Sequence, residues 1–146
     1  VTREEKQHAR AADRWLRQYL EAENVWRSCK RQRLRLIHMA HSLPSPALDA
    51  SPVISGQMSD VVGEAATALA EADRELAGRI RECVLIRRKI QAAIRCVPEA
   101  RDRTLLELRY IEGMGLPRIA EELGYYGANN VHRHLWRVLA RFPTLE

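Results

Sequence analysis

An all-α fold is predicted, with two long helices followed by a compact three-helix unit. Three observations predict it. The composition is rich in Ala, Leu, Arg and Glu, with a single Phe and no long β-branched run. Two long segments, 2–41 and 59–97, carry apolar residues stepping by three and four, the period of a helix face. The last third is cut by Gly113-Met114-Gly115 and Gly124-Tyr125-Tyr126-Gly127, which suit turns because glycine costs least there. The expected divisions are a first helix over 1–42, a linker over 43–58, a heptad-like helix over 59–97 and the three-helix unit over 98–146.

The first segment reads as one continuous helix. Ala12, Trp15, Leu16, Tyr19, Ala22, Trp26 and Cys29 form its buried stripe, and Leu36, Ile37 and Ala40 prolong it. Thr2 with Glu5 has the spacing of a capping box. An isolated helix cannot bury two tryptophans, so the stripe needs a partner surface. The chain's net charge of +5 resides in this segment, since Lys/Arg and Asp/Glu balance in the rest. Arg27, Lys30, Arg31, Arg33 and Arg35 cluster there. The plainer account of the cluster is a solvated face; the functional one is a patch that touches phosphates.

The linker, LPSPALDASPVISGQMS over 43–59, has three prolines, several serines and Gly56, so a continuous helix is not expected across it. Ser59 or Asp60 is expected to cap the second long helix. There Val62, Ala66, Leu69, Asp73, Leu76, Ile80, Cys83, Arg87, Ile90, Ile94 and Val97 step by four and three without a slip. This is a heptad-like seam of roughly 50 Å with two polar breaks, Asp73 and Arg87. Its partner is either the first helix, in an antiparallel hairpin, or a second copy of the protein. Gly63 and Gly78 each weaken the helix by about 1 kcal/mol relative to alanine, so packing must hold it.

Pro98 is expected to end that helix and open the next, over 98–112, which carries Leu105, Leu106, Leu108, Tyr110 and Ile111. A short helix over 116–123 follows. Pro117 fits its first turn, and Ile119, Ala120 and Leu123 share one edge. The third helix, over 129–142, places Val131, Leu135, Val138, Leu139 and Phe142 on its buried side. Asn129, Asn130, Arg133 and Arg137 then fall on or near the opposite side. A small residue at Ala120 and a tight turn at Gly124 are the layout of a helix-turn-helix, whose last helix is offered to a DNA major groove. Three ordinary core helices with a solvated polar face would share much of this pattern.

Other chemistry finds little support in the residues. Cys29, Cys83 and Cys96 are far apart and lack metal-type spacing, which suits small apolar side chains in a reducing compartment. His132 and His134 point to different faces of a helix, and His38 and His41 have no neighbouring carboxylate or cysteine. Glu121 and Glu122 diverge by about 100° on a helix and are expected to face solvent or pair with Arg109 or Arg118. No phosphate loop, nucleophile elbow or HExxH occurs. No catalytic residue, metal or cofactor is expected. No leader or twenty-residue apolar span is visible, so a soluble cytoplasmic protein of a bacterial cell, with no membrane partner, is expected.

The run LLELRYIEGMGLPRIAEELGY resembles the fourth region of sigma-70-type factors, which carries a helix-turn-helix. The whole plan is similar to small phage-encoded transcription regulators of the ArpU and RinA type. The motif covers about 45 residues, and the first 97 match only in pattern. The resemblance implies control of phage late genes, or of packaging and structural genes. It makes Leu108, Arg109, Tyr110, Ile119 and Ala120 scaffold and the helix from Asn129 the reader. The sequence departs from the pattern in two respects. The turn between Gly124 and Val131 is one residue longer than usual, and Asn129-Asn130 replaces a Ser/Thr start.

The expected function is sequence-specific binding of double-stranded DNA by a transcription regulator. Asn129, Asn130 and Arg133 would read bases. Arg137, Arg141, Arg118 and His132 would lie near phosphates. Alternative readings are a small-terminase-like DNA-packaging protein and a module that docks on RNA polymerase. A homodimer fits the first reading.

Overall fold

The computed structural model describes residues 1–42 and 52–143, with side chains described over 1–42 and 60–143. The fold is all-α. Its helices are α1 (Arg3–Leu16), α2 (Gln18–Ser42), α3 (Pro52–Arg95), α4 (Ala100–Tyr110), α5 (Leu116–Leu123) and α6 (Ala128–Ala140), with no strand among the described residues. They form two units, Val1–Ala22 with Cys83–Glu146, and Glu23–Glu82.

The expected first helix is present but bent at Arg17, which divides it into α1 and α2. The capping box is present: the Thr2 hydroxyl accepts the Glu5 N–H, and the Glu5 carboxylate accepts the Thr2 N–H. At the bend the Arg17 N–H is shared between the carbonyls of Asp13 and Trp15. Asp13 makes the bend useful. One carboxylate oxygen accepts the Tyr110 hydroxyl of α4 at 2.6 Å, and the other accepts Arg17 Nε at 2.9 Å. On one side of the bend α1 meets α6, with Trp15 and Phe142 rings 6.1 Å apart. His8 Nε2 donates to the Phe142 carbonyl at 2.7 Å. Beyond the bend Tyr19 lies beneath the Arg87 guanidinium, 5.6 Å from its ring centre. Arg87, a polar break in the apolar seam, is therefore matched to an aromatic face.

The core of this unit is apolar and tightly closed. Ala12, Leu16, Ile94, Leu105, Leu106, Ile119, Val131 and Leu139 are all fully buried. Tyr110 is 1% exposed, and burial, then its bond to Asp13, pushes its hydroxyl pKa up from the ordinary value. The Arg17 pKa is also raised, chiefly by its bond to Asp13.

In the unit Glu23–Glu82, α2 and α3 run antiparallel. Cys29 meets Glu75 and Arg33 pairs with Asp73, so one residue number rises as the other falls. Asp73, the other polar break, is thus answered by a cation from the first segment. Here the chain's own α2 partners the seam, although Val62 and Ile80 remain 48% and 41% exposed.

Both ends of α3, α4 and α6 differ from expectation. α3 begins at Pro52, inside the stretch 43–58 expected as linker, so neither Ser59 nor Asp60 caps it. Proline is tolerated in a first turn, where its missing N–H has no partner to lose, and Gly56 is carried within the helix. The rest of that linker, 43–51, lies outside the described residues. α3 ends at Arg95 rather than Val97, because the last turn tightens: Cys96 and Val97 donate three residues back, to Ala93 and Ile94. Arg103 Nη1 then donates to the carbonyls of Val97 and Pro98, both at 2.7 Å. α4 consequently starts at Ala100, not Pro98, and ends at Tyr110. α6 covers Ala128–Ala140 rather than 129–142.

Candidate nucleic-acid interface

Two glycines in the left-handed region set the frame of the C-terminal helices. Gly113 has φ +68° and Gly124 has φ +73°, a conformation that side-chain-bearing residues rarely adopt. At Gly113 a Cβ would also stand 3.4 Å from the Leu20 side chain. Gly124 closes α5 as its C-cap, and both its N–H and that of Tyr125 return to the Ala120 carbonyl. Ala120 itself is only 4% exposed. The chain then reaches Gly127, which precedes α6 without a side-chain cap.

The long turn leaves the register of α6 intact. Val131, Leu135, Val138, Leu139 and Phe142 are all buried, with Val131 at 0% exposure. The apolar stripe of α6 meets the core. The opposite face therefore turns outward. Asn129, His132, Arg133, Arg137 and Arg141 are exposed, and Asn130 is half-buried. Arg118 is exposed on α5 and lines neither hollow beside α6.

Arg133 and Arg137 line a hollow on each side. On one side is a groove of about 680 Å³ between α1 and α6, where Lys6 and Arg10 face Trp136, Arg137 and Arg141. Its one carboxylate is Glu5, already engaged in the capping box. On the other side is a smaller pocket of about 370 Å³, lined by Arg101, Tyr125, Asn130, Arg133, His134 and Arg137. Among the described residues, no carboxylate forms an ion pair with Lys6, Arg10, Arg101, Arg133, Arg137 or Arg141. The face is thus a run of cations without local neutralisation, the condition that favours a polyanion.

His134 is half-buried and held by two side-chain bonds. Its Nδ1 accepts from the Tyr125 hydroxyl, and its Nε2 donates to Asp102 Oδ1 at 2.8 Å. This links α4, the turn and α6. The Arg101 guanidinium covers the Tyr125 ring at 4.5 Å and donates to the Leu123 carbonyl at 3.3 Å. His132 stands apart from these contacts, its ring 5.9 Å from Trp136.

The basic cluster on α2 is partly neutralised. Arg27 pairs with Glu23 and Arg33 with Asp73, while Arg27 and Lys30 also lie 5.9 and 6.0 Å from the Trp26 ring. This favours the solvated-face account for those members. The sequence reading missed Lys6, Arg10 and Arg101. Lys6 and Arg10 are four apart and so share a helix face, but nothing in the sequence places that face beside α6. Among the described residues no group of three metal-ligating side chains assembles, and no helix is long and apolar enough to cross a membrane. No protein-family model matches the chain, and no curated protein or solved structure matches it either.

Proposed function

We propose that this chain is a sequence-specific, double-stranded-DNA-binding transcription regulator that uses α6 as its reading helix. The observation that carries the reading is the unneutralised outward face of α6, displayed by a helix-turn-helix whose turn is closed at Gly124. Asn129, Asn130 and Arg133 occupy the first half of α6, the part that a reading helix brings to base edges. Asparagine can both donate to and accept from adenine, and the arginine fork can donate twice to guanine. Arg137 and Arg141 follow toward the C-terminal end and suit backbone phosphates, joined across the groove by Lys6 and Arg10. Arg118 would reach a phosphate from α5. The similarity to phage regulators of the ArpU and RinA type extends the proposal to late-gene control inside a bacterial host cell.

The test is fluorescence anisotropy with duplexes drawn from DNA flanking the gene, compared with scrambled duplexes at several salt concentrations. Tighter binding to one flanking sequence at physiological salt is expected. Equal affinity for every duplex would remove sequence specificity and leave a non-specific DNA binder. Solution mass separates a monomer or homodimer from the ring expected of a packaging protein. Binding to RNA polymerase without binding to any duplex would replace the reading altogether.

A further inference from the structure

We infer that the pocket between α4, the turn after α5 and α6 is a phosphate-binding site, with Arg101 and Arg137 as its principal donors. The inference deepens the reading above and rests on it only for the source of the phosphate, a backbone phosphodiester of duplex DNA.

Three arginines, Arg101, Arg133 and Arg137, line about 370 Å³ of space. Gathering three like charges is unfavourable unless an anion answers them. Among the described residues no carboxylate does so. Asp102, the acidic neighbour of Arg101, is engaged by His134 Nε2 at 2.8 Å.

Two of the arginines are held with donors to spare. Arg101 lies over the Tyr125 ring at 4.5 Å and uses one Nη2 donor on the Leu123 carbonyl. Arg137 uses Nε on the Arg133 carbonyl at 3.4 Å. A guanidinium carries five N–H donors, so each retains most of them. Tyr125 is fixed in turn by His134, which makes the Arg101 platform preorganised and lowers the cost of ordering it on binding. Arginine forks arriving from α4 and from α6 suit a group that offers acceptors in several directions. A tetrahedral phosphate does this; a planar carboxylate is satisfied by one fork. Arg133 lines this pocket and the α1–α6 groove alike, so it adds charge here while its donors remain available to bases.

The experiment uses the full chain labelled with 15N and follows the arginine Nε–Hε resonances. Inorganic phosphate is titrated against chloride at matched ionic strength. Saturable shifts at Arg101 and Arg137, absent with chloride, are expected, and Arg101→Gln should abolish the shift at Arg137. Phosphate acting no differently from chloride would overturn the site. In a second arm the salt dependence of duplex binding is measured for Arg101→Gln, Arg101→Lys and the parent chain. Arg101→Gln should flatten the slope of log K against log salt by about 0.9 on cognate and scrambled duplex alike, with Arg101→Lys largely retaining it. An unchanged slope in Arg101→Gln, with duplex binding intact, overturns the pocket's role while leaving the DNA reading standing. Saturation by phosphate with no duplex binding supports the pocket as a site for free phosphate and removes the DNA reading. Far-UV circular dichroism melting confirms that each variant folds.

Discussion

Three positions give the sharpest tests at the scale of single residues: Arg133, Arg137 and Ala120. Arg133 lies one helical turn before Arg137, and both are exposed beside the same two hollows. Arg133 is nearer the end of α6 that would meet base edges. Arg133→Ala should therefore cost about 1–3 kcal/mol on the cognate duplex and relax preference at one base pair. Arg137→Ala should weaken cognate and scrambled duplex binding by the same factor. Anisotropy on a set of single-base variants checks both; equal losses on all duplexes for both variants would show that the roles are misassigned. Ala120 is a scaffold position, 4% exposed on the helix that precedes the turn. A glutamate there would bury a charge with no cation in place to answer it. Ala120→Glu should lower the melting temperature sharply and, with it, DNA binding. A melt unchanged by this substitution would mean that α5 does not pack closely at this residue.

Among the elements, an unbroken apolar period placed buried faces better than it placed helix ends. The stripe of α6 and the short α5 were read correctly because apolar spacing marks the first, and Gly115 and Gly124 bound the second. The bend at Arg17 was invisible, since 3/4 stepping continues straight through it; the contact beside it, between Asp13 and Tyr110, joins residues 97 apart in sequence. The start of α3 was misplaced because proline at a first turn and proline in a loop look alike in sequence. At the candidate site the cations on α6 were legible, but Arg101, Lys6 and Arg10 were not, since only tertiary packing brings them beside it. The α2 cluster is the reverse case: prominent in sequence, yet Arg27 and Arg33 already have carboxylate partners. Neutralising Lys30 and Arg31 should leave the salt slope of DNA binding unchanged, whereas neutralising Lys6 and Arg10 should flatten it by about 0.9 per contact. A flatter slope for Lys30→Ala with Arg31→Ala would make α2 a second phosphate surface.

For the molecule as a whole, the most telling tie is the one from α1 to α4, where the buried Tyr110 hydroxyl donates to Asp13. Burial is the largest cause of its raised pKa, followed by the bond to Asp13 and the carboxylate's charge; Arg17 and Arg109 oppose them. A tyrosine in the unfolded chain ionises near 10, on the order of the free side chain. Below that pH both states hold the proton, and the stabilisation from the neutral, bonded hydroxyl is complete. Above it the unfolded chain loses the proton while the folded chain keeps it, so the unfolded state binds fewer protons and stability falls as pH rises. Urea unfolding followed from pH 8 to pH 11 should show a loss that begins near pH 10. Tyr110→Phe removes the titrating group, so its stability should depend less on pH across that window. At pH 8 the same variant should be weaker than the parent by about 1.5–3 kcal/mol, the usual worth of a hydrogen bond to a charged acceptor. The parent loses this stabilisation as pH rises and the variant has none to lose, so the two curves should converge toward pH 11. Parallel curves would show that Tyr110 ionises no later in the folded chain than in the unfolded one.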